Sequence, residues 1–128
     1  MKVLKSFLIG LLFTTGLAYA VAPQVPQNQL QPCLTVESCV YQYGTKYSLS
    51  EAKMDLMKKV IFCESSNNRY AVGDGGKSFG LSQIHSPSHP SVTKEQAFDI
   101  DYSINFMAKN ISEGRGNMWT CYRILTGI

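Results

Sequence analysis

Several things this 128-residue sequence lacks narrow its reading first. No apolar run reaches the roughly 20 residues that a membrane-spanning helix requires; the run at Phe7–Leu17 is too short. The four cysteines lack the paired CxxC spacing of a structural zinc site, so a bound metal is not expected. No basic stripe offers itself to a phosphate backbone, which removes nucleic acid as a partner. No internal repeat is visible.

What the chain does have begins with a targeting segment. Lys2 and Lys5 give a positive start, Phe7–Leu17 an apolar centre, and Ala18-Tyr19-Ala20 the small-x-small pattern that signal peptidase needs. Residues 1–20 therefore read as a signal peptide cleaved after Ala20, rather than a stable membrane anchor, and the product as periplasmic or secreted. No cysteine follows the cleavage site to carry a lipid. Cleavage leaves 128 − 20 = 108 residues, enough for one small domain. It removes two lysines and none of the nine acids, so the net charge falls from +3 to 10 − 9 = +1.

All four cysteines, at 33, 39, 63 and 121, lie in the exported part, where an oxidising compartment favours two disulfides. Of three connectivities, Cys33–Cys39 with Cys63–Cys121 is favoured: the first closes a local loop and the second ties a helix to the C-terminal segment. On a chain-entropy basis the longer bridge contributes about 4 kcal/mol. Residues 21–32, with three prolines, four glutamines and no charge, have the composition of a linker. Residues 33–47 read as a small strapped loop, with a hint of extended structure in the alternation of Tyr41 and Tyr43. The division is thus 1–20 signal peptide, 21–44 linker and Cys33/Cys39 loop, and 45–128 domain.

The domain reads as mainly α. Ser48 and Glu51 have capping-box spacing, and Ala52, Leu56, Met57, Val60, Ile61 and Glu64 share one face of the helix they open. Thr93 and Gln96 form a second capping pair. Asp99 is placed to cap a helix whose stripe is Ile100, Ile104, Met107, Ala108 and Ile111, ended by Gly114. Asn117 is placed to cap a last helix from Met118 to about Leu125. The Asn110-Ile111-Ser112 sequon sits inside a helix and carries no functional weight.

The stretch Cys63–Ile84, CESSNNRYAVGDGGKSFGLSQI, organises the rest. Glu64 extends an apolar face to the end of its helix. There it is either a partly desolvated carboxylate with a raised pKa, as a general acid needs, or a solvated residue at a fraying end. Ser65–Asn68 favour a turn, and Val72–Lys77 a tight glycine turn or short hairpin. Gly76-Lys77-Ser78 is not a phosphate loop, since Ala71 stands where that motif needs glycine. His85 and His89 have the H-x3-H spacing, but Pro87 and Pro90 oppose a helix there and no third ligand is evident. His85 remains a candidate for a minor substrate contact.

Glu64-Ser65 followed by Ser78-Phe79-Gly80-Leu81-Ser82-Gln83-Ile84 resembles the soluble lytic transglycosylase family of the lysozyme-like superfamily. Asp99–Ile104 is similar to that family's Asp-x-x-x-Asn-Ile segment, with Ser103 in place of the asparagine; Cys121-Tyr122-Arg123 replaces Ala-Tyr-Asn. The resemblance covers about residues 45–125. It implies an α+β lysozyme-like fold, Glu64 as the single catalytic acid, and Ser78, Gln83 and Tyr122 as substrate-binding residues, with Gly80 and Leu81 structural. It also implies peptidoglycan glycan strands as substrate and no cofactor. The bond cut is the β-1,4 link between N-acetylmuramic acid and N-acetylglucosamine, leaving 1,6-anhydro products. Asp74 is the candidate second carboxylate, which would make the enzyme a lysozyme-type hydrolase, or else a turn residue. A non-catalytic wall-binding module is the reading from another class. A short chain without a wall-anchoring domain suggests local wall opening with an envelope secretion or conjugation machinery as partner.

Overall fold

The structure, a computed structural model, describes residues 31–128. The stretch read as a signal peptide, and the linker read after it up to residue 30, lie outside the described residues. Five helices carry the fold: α1 (Val36–Lys46), α2 (Glu51–Ser65), α3 (Lys94–Phe98), α4 (Ile100–Ser112) and α5 (Thr120–Thr126). A short 3-10 turn, Gly116–Met118, precedes α5. Between α2 and α3 lie three two-residue strands, β1 (Val72–Gly73), β2 (Ser78–Phe79) and β3 (Ile84–His85), paired antiparallel in that order. The register sets Val72 opposite Phe79 and Ser78 opposite His85. The fold is mainly α, as the hydrophobic patterning predicts. Among the described residues no helix is long and apolar enough to cross a membrane.

The segment expected as a strapped loop is helix α1, so the domain boundary expected at residues 44/45 falls inside a helix of the unit that spans 31–128. Thr35 and Ser38 cap α1 reciprocally. Val36, Val40, Tyr43 and Tyr47 recur at helical spacing and lie toward the core. The apparent period-2 signal fails because Tyr41 is 70% exposed while Tyr43 is buried. The Tyr43 hydroxyl donates to Asp101 Oδ1 at 2.7 Å, and that of Tyr47 to Asn105 Oδ1 at 2.7 Å, fixing α1 on α4. Burial, followed by the Asp101 carboxylate, pushes the Tyr43 pKa up to about 12.

Two caps differ from expectation. Ser48 takes a left-handed conformation, φ 55°, in the turn after α1, and the cap of α2 is Ser50, which accepts from the Lys53 N–H. Ala52 is exposed, whereas Met57, Val60 and Ile61 are buried. Asn117 does not cap α5; it lies in the 3-10 turn, and Trp119 occupies the N-cap without a side-chain bond. The buried Trp119 indole instead donates to the Ser82 carbonyl at 2.6 Å, so tertiary anchoring sets where α5 begins. Thr93 and Asp99 cap α3 and α4 as expected. The Asn110 carboxamide donates to Phe106 O and accepts from Arg115, so the sequon residue serves the core.

The core runs through Val40, Met57, Val60, Ile61, Leu81, Ile104, Met107 and Ile111. Disulfides join Cys33 to Cys39 and Cys63 to Cys121, and no free cysteine remains. Such bridges are found chiefly in oxidising compartments.

Gly80 fastens the sheet to α3. Its φ is 80°, and a Cβ there would stand 1.8 Å from the Ala97 carbonyl oxygen. Gly75 shares the positive φ, 63°, but faces open space. Gly80→Ala should therefore cost more than about 3 kcal/mol, while Gly75→Ala should cost about 1–2 kcal/mol for the left-handed backbone alone. Thermal melts of the two variants check this; equal losses would contradict it.

Candidate active site

The last turn of α2 delivers Glu64 to the edge of a cleft of about 790 Å³. Asp74 and Lys77 from the turn after β1 line it, with Ser78 of β2, then Gln83, Ile84 and His85, and Met118, Trp119 and Thr120, where the 3-10 turn meets α5. Phe106, Ser88 and His89 complete the lining.

Glu64 is half-buried, and its Oε1 accepts the Cys121 backbone N–H at 3.0 Å. Its pKa is raised. Loss of solvent is the main cause, opposed by the Cys121 N–H; the Asp74 charge raises it further and Arg123 lowers it. The protonated acid thus persists to higher pH than in an ordinary glutamate, and the carboxyl lines the cleft.

Asp74 lines the same cleft from a left-handed turn position, φ 50°. The buried Ser78 hydroxyl donates to its carboxylate. Ser78 thus reaches the cleft with its proton committed to Asp74. Gln83 also lines the cleft, but both donors of its carboxamide are turned inward, to Ala71 O at 3.2 Å and Gly80 O at 2.9 Å. Its Oε1 lies over Gly73, where a Cβ would come within 2.2 Å of it. Gln83 therefore pins the base of the hairpin, in addition to forming part of the wall.

Tyr122, expected from the resemblance to bind substrate, stands apart from this cleft. Its ring packs on Gly116, 2.5 Å from where a Cβ would stand. The aromatic residue that does reach the cleft from this region is Trp119, three positions earlier. Ser103, at the family's asparagine position, is buried. It donates to Ser82 Oγ at 3.0 Å and accepts from the Ser82 N–H at 3.0 Å, while Ser82 Oγ donates to its carbonyl at 2.6 Å. This knot joins α4 to the segment behind the cleft.

Sequence reasoning missed Lys77, His89, Phe106, Met118, Trp119 and Thr120 as cleft residues. Met118, Trp119 and Thr120 are consecutive, but they lie far in sequence from Lys77, His89 and Phe106, so only the fold brings them together with Glu64. His85 Nδ1 is 2.8 Å from Ser88 Oγ. His89 packs edge-on against Phe106, centroids 4.9 Å apart, and burial, with His85 and Arg115, lowers its pKa, which favours the neutral imidazole. Among the described residues the one grouping of three candidate metal ligands is Cys33, Cys39 and Asp101, whose two sulfurs are bonded to each other.

Comparison of the chain with protein-family models, curated proteins and solved structures finds no match. The cleft's function is therefore read from its own chemistry.

The raised pKa of Glu64 has a stability consequence of definite sign. Below the ordinary glutamate range, folded and unfolded states are both protonated and the site costs nothing. As pH rises through the folded pKa, the native state must ionise a poorly solvated group, and stability is lost. Glu64→Gln should therefore raise the melting temperature at pH 7 and leave it nearly unchanged at pH 4. A gain of equal size at both pH values would refute the raised pKa.

Proposed function

We propose that this chain is an exported peptidoglycan lytic transglycosylase that cleaves the β-1,4 bond between N-acetylmuramic acid and N-acetylglucosamine, with Glu64 as the catalytic acid. The observation that carries the reading is a single half-buried carboxyl with a raised pKa, presented to an open cleft large enough for sugar rings. The motif Glu64-Ser65 with Gly80-Leu81-Ser82-Gln83-Ile84 supports it, since its Glu64, Gln83 and Ile84 line that cleft. Protonated Glu64 donates to the leaving glycosidic oxygen. The resulting carboxylate then takes the proton of the muramoyl 6-hydroxyl as that oxygen closes on the anomeric carbon, giving the 1,6-anhydro ring. The two disulfides fit the export implied by the N-terminal segment. In this reading the partners are glycan strands and an envelope-spanning assembly for which the wall is opened locally.

A lysozyme-type hydrolase is the second reading, favoured by one observation: Asp74 lines the same cleft, and its charge acts on Glu64. There Asp74 would serve as the base that activates water.

Digestion of purified peptidoglycan followed by mass spectrometry separates the two. Anhydro products, lighter by one water than reducing-end products, are expected; reducing-end products alone would assign the hydrolase. Glu64→Gln should lower the rate by at least about 10²–10⁴-fold. If it clears sacculi as fast as wild type, neither enzyme reading stands.

Asp74→Asn gives an independent check. Its charge raises the Glu64 pKa, so removing it should move the high-pH fall of activity toward lower pH while the acidic side remains active. A loss of activity at every pH would instead make Asp74 a reacting group.

A further inference from the structure

Glu64 has a hydrogen-bond donor that does not belong to its own helix. Its Oε1 receives the backbone N–H of Cys121, 57 residues away in sequence, at 3.0 Å. A donor contributed by a separate segment aims a carboxyl only if that segment cannot drift. Here it is fixed from two sides. Cys121 is disulfide-bonded to Cys63, the residue immediately before Glu64, so the donor is tied covalently to the helix turn that carries the acceptor. Two residues before the donor, the buried Trp119 indole holds the Ser82 carbonyl at 2.6 Å, and Ser82 is knotted to Ser103 of α4.

We propose that Cys121 is a positioning residue, with the Cys63–Cys121 bridge holding its N–H against Glu64 so that the carboxyl is aimed into the cleft. The role in catalysis rests on the acid function proposed above; the clamp itself does not. The bridge thus has a local task beyond limiting the unfolded chain. Without it, the last helix could separate from α2 by a fraction of an ångström, and the acid would lose its orienting bond. Misplacement of about 1 Å can cost about 10²-fold in rate.

The charged groups acting on Glu64 are Asp74 from the hairpin turn and Arg123 from α5. Because the Cys121 N–H favours the anion, its loss should raise the Glu64 pKa, whereas simple opening of the site to water should lower it. The two outcomes have opposite signs.

The test is an NMR pH titration of the oxidised protein that follows the Cys121 amide and the Glu64 side-chain carboxyl carbon. In wild type the Cys121 amide should titrate with the same midpoint as the Glu64 carboxyl, and Glu64→Gln should abolish that transition. An amide that ignores Glu64 would overturn the proposal, and this arm needs no destabilised variant. The Cys63→Ala/Cys121→Ala protein, studied where circular dichroism shows it folded, should have a higher Glu64 midpoint. Its kcat should fall by up to about 10²-fold, with KM little changed. A midpoint unchanged or lowered would assign the bridge to stability alone. The titration requires no turnover, so wild type that leaves peptidoglycan intact while its Cys121 amide tracks Glu64 would refute the activity and leave the clamp standing.

Discussion

A carboxyl that is half out of water at a helix C-terminus sits in an unfavourable place. The helix ends in unpaired carbonyls, its dipole opposes negative charge there, and desolvation opposes it further. Everything around Glu64 can be understood from that constraint. The left-handed residues Ser66 and Asn67 end α2 at once, so the carboxyl stands at the mouth of a cleft instead of along a continuing helix. The one backbone donor it receives comes from a distant segment, and the longer disulfide keeps that segment in reach. Support is partial, and partial support is what leaves the acid protonated over a wider range of pH.

Polar residues near the acid are mostly spent on scaffold. Ser78 is bound to Asp74, both Gln83 donors serve backbone carbonyls, and Ser82 and Ser103 bond each other. The reason is the shortness of the strands. Two-residue strands satisfy few backbone groups by pairing, so side chains must satisfy the rest. In a cleft built this way several wall residues, Ser78, Gln83 and Trp119, are also ties within the fold.

That dual use explains what was legible in the sequence. Local signals worked where one element decides the outcome: the Thr93 and Asp99 caps, the α4 stripe and the glycine turn all depend on neighbours a few residues away. Glu64 was legible because the stripe of α2 ends on it. Signals failed where a tertiary bond overrides local preference. Ser48 has the right spacing for a cap, but the turn closing α1 takes it into the left-handed region. Asn117 is a good capping residue, yet the anchored Trp119 starts α5 later. Tyr41 and Tyr43 suggest alternation, but the helical stripe Val36, Val40, Tyr43 and Tyr47 turns only the second inward, where its hydroxyl meets Asp101 of α4. Trp119, Phe106 and His89 could not be assigned to the cleft at all without knowing which elements meet.

Asp74 shows how one position can bear on two mechanisms. Its charge on the cleft wall raises the pKa of Glu64 and so helps keep the proposed acid protonated, whether or not a second carboxylate takes part in the chemistry. Activating a water demands more: an oxygen free to accept a proton, with room for the water between it and the anomeric carbon. One of the Asp74 oxygens already accepts from Ser78, which holds the carboxylate to the hairpin and takes up part of its accepting capacity. In the proposed reading one acid both donates and retrieves the proton, and the neighbouring charge of Asp74 holds its pKa up.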